Sequence, residues 1–150
     1  MKFLLDSMLG KLAKWLRICG FDTEYVKDSK DTDLYFSAKK EDRILLTRDN
    51  KYKNLKTIKM CFINHDDLDK QIKQLFFEFN ITKEEFCFFS RCTVCNKLLK
   101  DIDKEEIIDK IPPYTAKTKN EFSICAGCGR IYWTGTHYER MRSKLNSMLE

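Results

Sequence analysis

The chain has 150 residues, of which 28 are basic and 23 acidic, and its net charge at pH 7 is +5. This length predicts one compact domain with room for a small extra module, and the mild charge permits a nucleic-acid partner without demonstrating one. Because only a three-residue apolar run precedes Asp6, we expect neither a secretion signal nor a membrane span there, and no membrane partner. Seven cysteines, an odd number, are typical of a reducing compartment, so a cytoplasmic location is expected.

The first ninety residues alternate between strand-like and helix-like segments. Short apolar runs predict four strands, at residues 3–5, 23–26, 43–47 and 60–63. Three helices are predicted, at residues 7–19, from a cap at Asp31 or Thr32 to about residue 40, and at about 67–79. Gly20 is expected to end the first helix. This order predicts an α/β fold with a parallel sheet covered on both faces.

Four cysteines form two CxxC pairs, and residues 96–124 separate the pairs. They are Cys92, Cys95, Cys125 and Cys128. Two such turns can supply the four thiolates of a tetrahedral zinc site, while two disulfides or redox motifs are the alternatives. The gap is longer than the usual 15 to about 20 residues, which indicates an inserted hairpin or short helix. Gly127 and Gly129 supply permissive backbone, and a final helix from about residue 137 to 149 is expected to pack back on the domain.

Three carboxylates lie where the sheet predicts a ligand site. Asp6 follows the first strand, Asp49 follows the third, and Asp33 falls in the first turn of the second helix. In parallel sheets ligands collect at the carboxyl ends of the strands, and carboxylates suit Mg²⁺ or Mn²⁺. Such a site could cleave phosphodiesters. Each acid also has a simpler interpretation, as a helix or turn cap.

Basic side chains of the first helix lie opposite its apolar face. Lys11, Lys14 and Arg17 form this stripe, which is either a contact surface for an RNA backbone or a solvated helix face. Further candidate RNA contacts are Arg48, Arg130 and His137. Aromatic side chains that could stack on bases, or belong to the core, are Trp15, Tyr132, Trp133 and Tyr138.

Segments spread over nearly the whole chain resemble the Mut-seven C-terminal ribonuclease family, a branch of the PIN-like nucleases. The resembling segments are residues 6–17, 20–23, 43–49, 90–96, 125–133 and 135–137. The resemblance implies a PIN-like three-layer αβα sandwich at 1–88 and a four-cysteine zinc ribbon with a C-terminal helix at 89–150. It also implies an acidic site in which Asp6, Asp33 and Asp49 match the family positions, with Asp66 or Asp67 as candidates for a fourth acid.

Three hypotheses remain at this point. The first is a ribonuclease that uses Mg²⁺ or Mn²⁺ at the acids and zinc in the ribbon, acting on single-stranded or structured RNA. The second is an RNA-binding module without chemistry, and the third is a protein adaptor that uses the ribbon. The sequence leaves open whether the chain is a monomer or a dimer.

Overall fold

The larger sheet contains four parallel strands in the order β2-β1-β3-β4. The computed structural model describes residues 1–28 and 30–150, apart from the side chains of residues 31 and 32. The strands are β1 (Lys2–Leu5), β2 (Asp22–Tyr25), β3 (Ile44–Thr47) and β4 (Met60–Phe62). All four predicted strands are present, and their parallel pairing confirms the predicted topology.

Helices cover both faces of this sheet. They are α1 (Gly10–Ile18), α2 (Asp31–Lys40) and α3 (Leu68–Glu78). Side chains alternate along each strand, so Phe3 and Leu5 pack on the face covered by α1 and α3, while Leu4 packs with Leu34 of α2 on the other. The three-layer sandwich is therefore confirmed. The predicted caps of α2, Asp31 or Thr32, have side chains outside the part that the structure describes.

The second half of the chain contains a small antiparallel sheet in the order β5-β6-β7. Its strands are β5 (Leu99–Ile102), β6 (Phe122–Cys125) and β7 (Ile131–Tyr132). The long gap between the cysteine pairs holds β5, α4 (Lys104–Ile107) and α5 (Pro113–Thr118). Pro113 begins α5, because proline suits the first turn of a helix.

The final helix, α6 (Thr136–Ser147), returns to the first half of the chain. Its buried residues Met141 and Leu145 join the core formed by α1 and α3. This confirms that the C-terminal helix packs back on the larger sheet. Among the described residues, no helix is both long and apolar enough to cross a bilayer.

The first helix ends as the sequence predicts, for a steric as well as a conformational reason. Gly20 has a φ of +97°, a backbone conformation that residues with a side chain rarely adopt. A Cβ at this position would lie 2.5 Å from the backbone oxygen of Cys87. The segment after α3 can therefore pass directly over this turn, where the N–H of Cys87 donates to the carbonyl of Cys19.

The first cysteine turn closes the free edge of β2. The buried Asn96 accepts from the backbone N–H of Thr23 at 2.9 Å and donates to Asp22 at 2.8 Å and Glu24 at 3.0 Å. Among the described residues, strand β2 pairs only with β1, so its other edge would otherwise present unpaired backbone groups. One amide side chain therefore replaces part of a neighbouring strand.

Asp22 joins this contact to the centre of the sheet. Arg43 donates to its carboxylate at 2.7 Å and also to Glu41 at 2.5 Å. Burial alone would raise the pKa of Asp22, but hydrogen bonds from Arg43 and Asn96 outweigh it and hold that pKa below its usual value. The carboxylate of Asp22 is therefore more favourable in the folded chain than in the unfolded one.

This lowered pKa predicts a pH-dependent contribution of Asp22 to stability. The contribution is present above the unfolded pKa of about 3.9 and is lost as the pH falls through the lower folded value. We expect Asp22→Asn to reduce the free energy of unfolding by roughly 1.5–3 kcal/mol at pH 7, with the difference from wild type shrinking below pH 4. Urea unfolding of both proteins at pH 7, 5 and 3 measures this difference, and a constant difference would contradict the prediction.

Candidate functional site

Two aspartates lie at the carboxyl ends of adjacent strands. Asp6 directly follows β1, and Asp49 comes shortly after β3. The chain leaves β1 towards β2 on one side and later returns to β3 on the other, so this is a topological switch point. Both aspartates line a cavity of about 80 Å³. The structure therefore brings together two of the three predicted acids.

The carboxylate of Asp6 is buried and fixed by hydrogen bonds from the chain. Oδ1 accepts from the N–H of Met8 at 3.0 Å, and Oδ2 accepts from the N–H of Arg48 at 3.2 Å and from the hydroxyl of Thr47. These bonds use three of roughly four lone-pair positions of a carboxylate. Oδ1 keeps one position for a ligand.

Thr47 ties the two aspartates together. Its hydroxyl donates to Asp6 and accepts from the backbone N–H of Asp49 at 3.0 Å, while Oδ1 of Asp49 accepts from the N–H of Lys51 at 3.0 Å. Thr47 is fully buried. Sequence reasoning missed its role, although a hydroxyl at the last position of an apolar strand was a usable signal.

Asp33 and the candidate fourth acids lie elsewhere. Asp33 is exposed on α2 and does not line the cavity, although its neighbour Leu34 does. Asp66 pairs with the guanidinium of Arg48, and Asp67 caps α3 by accepting from the N–H of Lys70 at 3.0 Å. Within the described residues, the three predicted acids do not form a group compact enough to hold one metal ion. The roles of Asp33, Asp66 and Asp67 as ligands stay predictions.

Arg17 does not belong to an exposed basic stripe, so that prediction is wrong at this position. Its side chain is buried, and its guanidinium donates to the carbonyls of Thr23 at 2.9 Å and of Thr93 and Val94 at 3.0 Å. Arg17 faces the edge of β2 and the first cysteine turn, whose carbonyls need donors. Lys11 and Lys14 are exposed as predicted.

The other candidate RNA contacts are distributed over both halves. Arg48 donates to the carbonyl of Ile63 at 3.2 Å as well as to Asp66, so it crosses the ends of β3 and β4. Arg130 and His137 are both exposed. His137 lines one pocket together with Lys14, whereas Arg130 is outside that lining.

The four cysteines of the two pairs converge at one point. Their sulfur atoms all lie within 4.8 Å of one another, and those of Cys92 and Cys128 are 3.7 Å apart. A tetrahedral zinc ion with bonds of about 2.3 Å would separate its sulfurs by roughly 3.8 Å. All seven cysteines are free thiols, so this cluster could hold a metal ion such as zinc.

The two cysteine turns share a backbone conformation. Asn96 and Gly129, each directly after the second cysteine of its pair, have φ of 65° and 75°. A Cβ on Gly127 would lie 2.8 Å from Cδ of Lys97, but that flexible side chain can move away. Of the two glycines expected to permit the second turn, Gly129 is therefore the one whose backbone conformation favours glycine.

The thiols of this cluster do not ionise alike. Burial disfavours the Cys92 thiolate, but hydrogen bonds led by the Tyr132 hydroxyl lower its pKa to about 6. Hydrogen bonding to Cys128, and then burial, raise the pKa of Cys95 to about 12. Thiolates this close repel one another, so full ionisation of the cluster requires a cation.

The fold and these two sites define an α/β domain with an acidic switch-point cavity and a four-cysteine cluster that could hold a metal ion. The model of one protein family, the Mut7-C RNAse domain, matches residues 1–145. The chain belongs to this family. No curated protein and no solved structure gave a significant match.

The position of Arg17 predicts a structural role. Arg17→Met would leave three carbonyl groups without their donor, and we expect the free energy of unfolding to fall by about 3 kcal/mol. Lys11→Met, on the exposed face of the same helix, should change it by less than about 0.5 kcal/mol. Urea unfolding measures both, and an equal effect of the two substitutions would contradict this role.

Proposed function

We propose that the protein is a metal-dependent ribonuclease that hydrolyses RNA phosphodiester bonds beside Asp6 and Asp49. Membership of a ribonuclease-domain family supports the reaction class. The observation that carries the site is the shared cavity of the two aspartates at the switch point, held by the Thr47 hydroxyl. Asp33 is the proposed third acid.

The donor set of the cavity suits a hard divalent cation. Mg²⁺ and Mn²⁺ prefer oxygen ligands, and Mg²⁺ commonly uses one or two carboxylates while it keeps several waters. Asp6 and Asp49 offer those oxygens, and Asp6 keeps one lone-pair position on Oδ1. Such an ion, when bound, supplies a Lewis acid that activates water and offsets charge on the phosphate.

The protein side chains hold the reacting groups in place. Asp6 is immobilised by its hydrogen bonds, so its free lone pair keeps one direction. Lys11 and Lys14 are exposed on the helix that begins next to the cavity, and they contact the RNA backbone. In the reaction the oxygen of a water bonds to phosphorus and the water releases one proton, while the bond from phosphorus to the leaving oxygen breaks and that oxygen takes up one proton.

The cysteine cluster is proposed to hold a structural zinc ion in the cytosol. Four protein sulfurs fill a tetrahedral site and leave no position for a reacting water. At the edge of β2, Asn96 of the first cysteine turn also accepts from the N–H of Thr23 and donates to the carboxylate of Asp22. The ion thus stabilises the contact between the proposed nuclease domain, residues 1–88, and the ribbon with its helix, residues 89–150.

One observation favours a second candidate function, an RNA-binding module without chemistry. In the described part of the chain, Asp6, Asp33 and Asp49 do not form a compact three-ligand group. That candidate predicts RNA binding which persists without added Mg²⁺ or Mn²⁺ and yields no product. A cleavage assay with matched variants separates the two candidates.

The ribonuclease proposal predicts that Asp6→Asn lowers the rate of cleavage about 100-fold or more, since losing one electrostatic group at a reaction centre commonly costs this much. The assay uses 5′-labelled single-stranded and hairpin RNA with Mg²⁺ or Mn²⁺. Asp33→Asn should also lose activity, whereas Asp109→Asn, an exposed acid in the ribbon, should keep it. Intact RNA in every sample would favour the binding module, and equal cleavage by wild type and Asp6→Asn would remove Asp6 from the mechanism.

The zinc proposal predicts that the purified protein contains about one zinc ion per chain, which elemental mass spectrometry measures. Cys128→Ser should lose this zinc, and its melting temperature should fall by about 2–4 °C for each kcal/mol of stability lost. Cys87→Ser is the matched control, because Cys87 is also exposed but lies outside the cluster. Full zinc content in Cys128→Ser would contradict the assignment.

A further inference from the structure

A wall of aromatic side chains separates two cavities of opposite charge. The wall consists of Phe89, Tyr132, Trp133 and Tyr138, which line both cavities. The first, of about 290 Å³, is the Lys14 pocket, because Lys14 and His137 supply its basic side chains. The second, of about 710 Å³, is the acidic groove, in which the carboxylates of Asp101, Asp103, Glu105 and Glu121 outnumber the ammonium group of Lys104.

The Lys14 pocket is lined mainly by apolar and aromatic side chains, which suit the flat face of one ring. Its lining includes the buried side chains of Ile18 and Met141 and the rings of Trp133 and Tyr138. Trp133 is 36% exposed, and the Tyr138 ring is backed by Phe89 at 4.1 Å between centroids. Aromatic faces of this kind stack unpaired bases without sequence preference.

The position of Lys14 connects this pocket to the acidic cavity. Lys14 lies on α1, roughly 6 Å along the helix axis from Gly10, where the helix begins four residues after Asp6. Lys11 is exposed between them. An RNA strand whose phosphates follow these lysines therefore reaches the pocket a few nucleotides from the proposed site of cleavage.

The charges on the two sides of the wall favour a phosphate-bearing ligand in the Lys14 pocket rather than in the acidic groove. The carboxylates of the acidic groove repel phosphate, whereas the ammonium group of Lys14 attracts it. We propose that the Lys14 pocket binds one unpaired nucleobase of the RNA substrate, stacked against Trp133, while Lys14 contacts an adjacent phosphate. The inference rests on RNA being the substrate, and it specifies RNA that is single-stranded next to the cleaved bond.

Binding of two labelled RNA hexamers tests the pocket without cleavage. One is hexaadenylate, and the other is a hexamer of abasic ribonucleotides with the same phosphates. Fluorescence anisotropy is measured with the zinc-loaded protein and no added Mg²⁺ or Mn²⁺. Wild type should bind hexaadenylate about 5- to 150-fold more tightly than the abasic hexamer, the range expected for one stacked base.

Two matched variants locate this preference. Trp133→Leu should lose most of it while still binding the abasic hexamer, and Tyr114→Leu, an exposed ring on α5 outside the pocket lining, should keep it. The chain has two tryptophans, so the fluorescence of Trp15→Phe comes from Trp133 alone. We expect hexaadenylate to quench this fluorescence. Quenching that follows binding supports the pocket directly.

Other results would overturn the inference. One such result is equal binding of the two hexamers by wild type, and another is an unchanged preference for hexaadenylate in Trp133→Leu. If Trp133→Leu instead changes the oligomeric state without loss of this preference, the pocket is an interface between copies of the chain. The outcome is independent of catalysis. Cleavage that depends on Asp6 but comes without base-dependent binding would remove the pocket and leave the ribonuclease proposal intact.

Discussion

The free edge of β2 is the constraint on which both halves of the molecule depend. Arg17 from α1 and Asn96 from the first cysteine turn bind opposite polar groups of one residue, donating to the carbonyl of Thr23 and accepting from its N–H. The same guanidinium holds the carbonyls of Thr93 and Val94. The first cysteine turn therefore takes the place of a neighbouring strand along the edge of β2, so the positions of the turn and of this edge depend on each other.

In the acidic cavity, too, one polar side chain contacts two separate segments of the chain. The hydroxyl of Thr47 serves as donor to one aspartate and as acceptor for the backbone of the other. Because Thr47 is buried at the end of β3, both acids are positioned by the sheet rather than by flexible side chains. Placement on a rigid element is what a reaction at phosphorus requires of its ligands.

Features with a local cause could be predicted from the sequence, and features with a distant cause could not. The strands, the first helix with Gly20, the cysteine cluster and the position of Asp6 all follow from short patterns. Arg17 was misplaced because its helical spacing describes only its own helix, whereas its partners lie on β2 and on the cysteine turn far along the chain. In the sequence Thr47 looks like an ordinary strand residue, because its hydrogen bond to Asp6 depends on the pairing of β1 with β3. For residues 96–124 only an inserted hairpin or short helix was predicted, because the short strands and helices in that segment leave weak periodicity.

The return of α6 has a consequence for the order in which the chain folds during synthesis. Met141 and Leu145 complete the core that α1 and α3 begin, although the cysteine module separates them in sequence. A ribosome exposes α1 and α3 well before α6, so part of that apolar surface stays uncovered until the last helix emerges. The nascent chain therefore passes through a stage that chaperones can recognise, and it leaves that stage only after α6 has emerged from the ribosome.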